Sequence, residues 1–182
     1  LVEHFTGTNR TDALARPEQE LPAEAAACAR AALSRRMAGE PVHRIIGRRE
    51  FYGLDLALSP ATLEPRPDTE ILVDRVVAHL RDRMPARGDC RILDLGTGTG
   101  AVALALLSQL PWARAVGVDI DAQAVETARQ NAAANGLSER FEGIVSNWFS
   151  VVSGKFHAIV SNPPYISGSE MASLPREVRQ FD

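Results

Sequence analysis

Three groups of residues in this chain have the types and spacing to do chemistry. The first is Asp94-Leu95-Gly96-Thr97-Gly98-Thr99-Gly100, which follows a short apolar run and opens a helical one. Glycines in that position permit a tight turn and let a ligand lie against the backbone. The spacing is Gly-x-Gly-x-Gly, not the dinucleotide fingerprint Gly-x-Gly-x-x-Gly. The second is Asp119, at the end of the next apolar run and 19 residues after Gly100. A carboxylate there can accept both hydroxyls of a ribose. Together the two predict a nucleoside cofactor at the carboxyl ends of parallel strands. The third is Asn162-Pro163-Pro164-Tyr165. Its prolines fix the backbone and remove two N–H donors, so carbonyl oxygens remain to face a pocket. The asparagine side-chain oxygen is a further acceptor, and the tyrosine is an aromatic platform. Such an array suits a planar –NH2 group, a poor nucleophile because its lone pair is delocalised. Accepting its hydrogens would hold it in line and favour the pyramidal geometry needed for attack.

The elements that must position these groups follow from the pattern. Alternating runs predict strands over 91–95, 115–118, 141–145 and 156–160, with helices over 101–110 and 122–134. Strand-helix alternation at this spacing predicts a parallel sheet with right-handed crossovers, an open α/β domain. Before it, 51–58 alternates well enough for a strand or hairpin arm. A helix then starts at Asp68-Thr69-Glu70, with Leu72, Val76 and Leu80 on one side, and ends at Pro85 and Gly88. The first 40 residues are alanine-rich and helical in pattern, a small bundle with Ala26, Ala29, Leu33 and Met37 on one face. Arg35, Arg36, Arg44, Arg48 and Arg49 form a local basic cluster, read as a solvated face ahead of a partner contact.

Composition narrows the classes. The chain has 182 residues, 45% hydrophobic and 24% charged, with a formal net charge of −3. That is a globular composition, and the acidic balance argues against a protein built to hold duplex DNA. No apolar run approaches the roughly 20 residues that span a bilayer. Cys28 and Cys90 form no disulfide framework, so reduced thiols and a cytoplasmic location are expected. His4, His43, His79 and His157 lack ligand spacing, so no metal is expected.

Leu95 to Gly100, Asp119 and Asn162 to Tyr165 resemble the S-adenosylmethionine-dependent methyltransferases of the seven-stranded Rossmann-like class that modify amide or exocyclic amino nitrogens. Gly39-Glu40-Pro41-Val42-His43-Arg44-Ile45-Ile46-Gly47, Phe51-Tyr52-Gly53-Leu54 and Pro65-Arg66-Pro67-Asp68-Thr69-Glu70 are similar to segments of the release factor glutamine methyltransferases. The resemblance implies a helical substrate-binding segment over 1–47, a β-hairpin linker over 48–66 and a methyltransferase domain over 67–182. It implies S-adenosylmethionine as cofactor and, as substrate, the glutamine amide in the Gly-Gly-Gln loop of a class 1 peptide-chain release factor. Carried over by position, Gly96, Thr97, Gly98, Thr99 and Gly100 would wrap the methionine part and Asp119 would hold the ribose. Trp148 would lie by the adenine. Asn162 would serve both cofactor and substrate. Asn162, Pro163, Pro164 and Tyr165 would bind the amide, with Asn162, Pro163 and Tyr165 catalytic. Asn147 stands where the family often has an aspartate, and it can accept a hydrogen bond without charge. The same resemblance implies a monomer, with no membrane contact and no stable nucleic-acid binding. The family's sheet has more strands than the four read here, so a chain incomplete at both ends is expected. The alternatives are adenine amino methylation of DNA or RNA, glutamine methylation of a ribosomal protein, and a remnant that binds without catalysing.

Overall fold

The computed structural model describes residues 1–84 and 89–163. Pro85, Gly88, Pro164, Tyr165 and the chain's last residues lie outside that range. The described chain forms two compact units, residues 1–47 and 48–163.

The first unit is helical: α1 (Val2–Thr6), α2 (Arg10–Ala15), α3 (Ala23–Met37) and α4 (Val42–Ile46). Asn9 caps α2, its Oδ1 accepting from the Asp12 N–H at 2.8 Å. Pro22 sits at the N-cap of α3, and Gly39, at φ 101°, follows its end. The buried face of α3 differs from the one that periodicity predicts. Ala29 and Ala32 are buried, whereas Leu33 is exposed and Met37 almost wholly so. The alanines have the smallest side chains on the helix and let α1 and α4 pack closely against it. The basic cluster is not a bare cationic face either. Arg35 pairs with Glu40, Arg48 with Asp55 at 2.8 Å, and Arg49 with Glu64 at 3.1 Å.

In the second unit β1 (Arg48–Phe51) pairs antiparallel with β2 (Leu54–Ala57). Tyr52 and Gly53 turn the chain with φ of 54° and 78°, the double left-handed geometry of a two-residue hairpin. A tyrosine is unusual there, and two bonds hold it. Its N–H donates to Glu70 Oε1 at 3.1 Å, and its hydroxyl donates to Asp74 Oδ1 at 2.7 Å. Both acceptors belong to α5 (Glu70–Arg83), which follows a 3-10 turn at Pro67–Thr69. The stripe of α5 that is buried is Val73, Val77 and Leu80, with Leu72 and Val76 half-buried beside it. Helix α6 packs on α5, and of the expected Leu72, Val76 and Leu80 only Leu80 is fully buried.

The rest is β3 (Cys90–Leu95), α6 (Ala101–Gln109), β4 (Ala113–Asp119), α7 (Ala122–Ala134), β5 (Phe141–Val145) and β6 (Ala158–Ser161). The four strands are parallel in the order β5-β4-β3-β6. One core cluster joins Phe51 and Leu56 of the hairpin to α5, α6 and one face of the sheet. Leu93, Leu95, Val116 and Val118 form a second cluster, with Ile144, Val152 and Phe156 packed against it. Apolar burial on both faces is what a central parallel strand requires.

One polar side chain ties these layers together. Asn131, on α7 and 1% exposed, accepts from the Ala57 N–H at 2.8 Å. Its Nδ2 donates to the carbonyls of Ala57 at 3.1 Å and Thr99 at 2.9 Å. It thereby pairs with the edge of β2 and fixes the loop after β3. Asn131→Ala would leave the buried Thr99 carbonyl and the partly buried N–H and carbonyl of Ala57 without these partners. It should destabilise the protein by about 2–4 kcal/mol, read as a lower urea midpoint at unchanged slope.

Candidate active site

The chain passes from β3 through β4 to β5 on one side, then returns to the other side of β3 for β6. The strand order therefore reverses next to β3, and in open α/β sheets ligands bind at the carboxyl ends of strands at such a switch point. The loop after β3 and Asn162 after β6 stand on its two sides.

The loop is built to turn its backbone outward. Gly96, Gly98 and Gly100 have φ of 72°, 52° and 82°, values that cost a residue with a Cβ. The N–H groups of Gly96 and Thr97 both donate to Val118 O, at 2.8 and 2.9 Å, which seats the loop on the end of β4. A Cβ at Gly100 would come within 3.2 Å of Ala128 and Leu104, so that glycine also permits close helix packing. A Cβ at Gly98 would meet nothing within 4 Å: the loop's midpoint faces open space. Thr97 and Thr99 point inward and are buried. The Thr97 hydroxyl donates to Asp94 Oδ2 at 2.9 Å, and the Thr99 carbonyl takes the Asn131 bond.

Asp119 ends β4 half-buried. Its Oδ2 accepts from the Gly98 N–H at 2.9 Å and its Oδ1 from the Asp121 N–H at 3.1 Å. Each oxygen keeps a lone pair for another donor. Past β5, the Ser146 N–H donates to Asp119 O at 2.9 Å. The Ser146 hydroxyl donates to Trp148 O and accepts from the Val151 N–H. This tight turn holds Trp148 at φ 51° with its side chain about half exposed. Past β6, the Ser161 hydroxyl donates to Leu95 O at 2.8 Å, binding the approach to Asn162 to the approach to the loop. Pro163 lies 3.8 Å from where a Gly96 Cβ would be. Asn162 Nδ2 donates to Thr69 Oγ1 at 2.8 Å. Gly96 to Gly100, Asp119, Trp148, Asn162 and Pro163 thus stand at one end of the sheet. Pro164 and Tyr165 lie outside the described residues.

Sequence reasoning missed the contacts that three residues make here. Asn131 has no motif that distinguishes it from other helical asparagines. Thr69 read as a helix start and as part of the family-like segment Pro65 to Glu70. Asp94 was visible as an acid inside an apolar strand, which is a signal of its own. It is 2% exposed and accepts from the Thr97 hydroxyl and, at 3.3 Å, the Ala103 N–H. Burial pushes its carboxyl up to about 6; those two bonds oppose the shift, and the charge of Asp119 adds to it.

The fold is an open α/β domain with these candidate residues gathered beside its switch point, where such sheets take ligands. The chain belongs to the methyltransferase small domain family, which it matches over residues 69–177. Residues 1–47 match the PrmC N-terminal domain. The chain is 53% identical over its whole length to a release factor glutamine methyltransferase of Agrobacterium fabrum, covering 63% of that protein. It is 47% identical over 98% of its length to that of Escherichia coli K12, again covering 63%. It therefore spans about half to just under two thirds of the curated relatives that it matches. In fold it is similar to a SAM-dependent methyltransferase from Agrobacterium tumefaciens, with a TM-score of 0.53 at 16% identity over 64% of this chain and 39% of that one. The N-terminal domain of human METTL16 gives 0.53 at 18% identity, over 68% and 52% of the respective chains.

The Asp94 carboxyl has a testable signature. Its folded value lies above the ordinary 3.8, so its contribution to stability is complete below about pH 4 and is lost as pH rises through about 6. By pH 7.5 the ionised group costs the fold on the order of 3 kcal/mol. Asp94→Asn keeps an acceptor oxygen for Thr97 and Ala103 but cannot ionise. Urea titrations at pH 4.5 and 7.5 should show the variant gaining on the wild type as the pH rises.

Proposed function

We propose that the protein carrying this chain methylates the side-chain amide of the glutamine in the Gly-Gly-Gln loop of a class 1 peptide-chain release factor, using S-adenosylmethionine. The observation that carries this reading is the placement of an acceptor side chain, Asn162, across the switch point from the Gly96–Gly100 loop and Asp119. The family match and the similarity of this whole chain to part of the release factor glutamine methyltransferases support it.

The cradle fits such a cofactor. Its midpoint opens on free space where a Cβ would intrude, and Asp119 can accept from ribose hydroxyls while it holds the Gly98 N–H. Trp148, half exposed on the turn after β5, is the candidate neighbour of the adenine, and Asn147 can accept from its amino group without charge. When bound, S-adenosylmethionine supplies an electrophilic methyl group on a positively charged sulfur. Asn162 Oδ1 accepts one hydrogen of the glutamine –NH2, and the carbonyls of the Pro163-Pro164 segment are assigned to the other. Both contacts hold the nitrogen in line and draw its lone pair out of conjugation. Tyr165 is assigned as the flat surface against the amide. No general base is required, because the nitrogen becomes acidic as it attacks and its proton can leave to water. Residues 1–47 are assigned to holding the protein substrate and 48–66 to linking them with the catalytic domain, residues 67–182. A release factor works on cytoplasmic ribosomes, so the location follows from the substrate. Among the described residues no helix is long and apolar enough to cross a membrane. The enzyme is assigned as a monomer.

Asp119→Ala should weaken S-adenosylmethionine binding at least about tenfold by calorimetry, since a charge-assisted acceptor is lost; equal affinities would remove the ribose assignment. For the substrate, the intact protein should be offered labelled S-adenosylmethionine with release factor, a ribosomal protein and duplex DNA side by side. Label is expected in the release factor alone and should vanish when the loop glutamine is replaced. Label in DNA or in the ribosomal protein would overturn the assignment.

A further inference from the structure

Thr69 occupies the N-cap of α5 but makes no side-chain cap bond there. An N-cap threonine ordinarily turns its oxygen onto the N–H groups of its own helix. Here Oγ1 instead receives Asn162 Nδ2 at 2.8 Å, across 93 positions of sequence. The neighbouring Glu70 is likewise turned away from its own helix, its Oε1 taking the Tyr52 N–H. The start of α5 thus directs its side chains at other segments. Thr69 is half-buried and held by the 3-10 turn, where its N–H donates to Arg66 O at 3.0 Å. Asn162 is exposed, just past the end of β6. An exposed side-chain amide can present either its oxygen or its –NH2 group to a substrate, since the two ends have the same shape. Only the oxygen can accept a hydrogen from a substrate –NH2.

We infer that Thr69 is a positioning residue: its hydroxyl holds Asn162 Nδ2 and so leaves Oδ1 to face the substrate amide. The inference rests on the amide-methylation reading above. In this role Thr69 acts through Asn162 and is assigned no contact of its own with substrate or cofactor. A hydroxyl can donate as well as accept, so it tolerates either sense of the amide. The substrate's two N–H donors select the sense in which Oδ1 accepts, and Thr69 stabilises the Nδ2 end in that sense.

The test uses the intact protein with Thr69→Val, Thr69→Ser, Asn162→Ala and the double variant Thr69→Val/Asn162→Ala. The side-chain –NH2 signals of Asn162 are followed by 15N NMR and assigned by their loss in Asn162→Ala. Thr69→Val should shift those signals and lower kcat about tenfold, with little change in KM or in S-adenosylmethionine affinity. Thr69→Ser should recover most of the loss, because it restores the hydroxyl. In the Asn162→Ala background, Thr69→Val should add no further loss of kcat. An unmoved Asn162 signal, an equal fall in Thr69→Ser and Thr69→Val, or additive losses in the double variant would each overturn the inference. A wild-type protein that labels no release factor would overturn the methylation reading itself and the positioning role with it. That failure is recognised separately, because the NMR shift does not depend on turnover.

Discussion

Asn131 is a neutral amide on α7, and three segments far apart in sequence meet at it. It pairs with both polar groups of Ala57 in β2 and with the Thr99 carbonyl in the glycine loop. Each of those groups is withdrawn from water, and each would cost free energy if left unmade. The hairpin therefore cannot leave the domain without exposing or orphaning groups next to the glycine loop. Phe51 and Leu56, fully buried against α5 and α6, reinforce the same attachment by apolar contact. A short antiparallel pair is marginal by itself in water, and here it becomes part of the domain that holds the site.

The glycine loop shows how such support becomes chemistry. A turn that offers its backbone to a ligand must satisfy the rest of its polar groups internally. Val118 O takes two of its N–H groups, Asp119 takes the Gly98 N–H, and Asp94 takes the Thr97 hydroxyl. The cost falls on Asp94, whose carboxyl sits in a low-dielectric site that disfavours its charge. Asp119, at the end of the next strand, stands close to the same loop and holds the Gly98 N–H through one oxygen.

Local rules give way where the site needs it. The first turn of α5 has a threonine and a glutamate in capping positions, yet Thr69 binds Asn162 and Glu70 binds the hairpin turn. Tyr52 accepts a left-handed backbone because two bonds to α5 hold it there. Segments separated by 18 to 93 positions are joined in this way.

The sequence by itself determined the order and kind of the α/β elements. Helix α7 and strand β5 run over the residues that periodicity predicts, because a 13-residue amphipathic stretch and a short apolar run are local properties. It also determined the glycine loop and the strand-end Asp119, because those residue types are needed at fixed points of the chain. Its alternation left 51–58 as a strand or one hairpin arm, and only the family resemblance implied a hairpin over 48–66, since nothing in the alternation announces that Tyr52 turns the chain. It placed the buried stripes of α3 and α5 only in part: Ala29 and Leu80 are buried as expected, but Leu33 and Met37 are exposed and Leu72 and Val76 half-buried, since a helix with several apolar stripes buries most deeply the one that its neighbours cover. Only the tertiary structure decided that Ala32 faces inward while Leu33 does not, that Asp94 is sealed from water, and that Asn131 bonds the glycine loop and Thr69 bonds Asn162. Those outcomes depend on partners many residues away, and a hydrogen bond between distant side chains leaves no periodic mark on either segment.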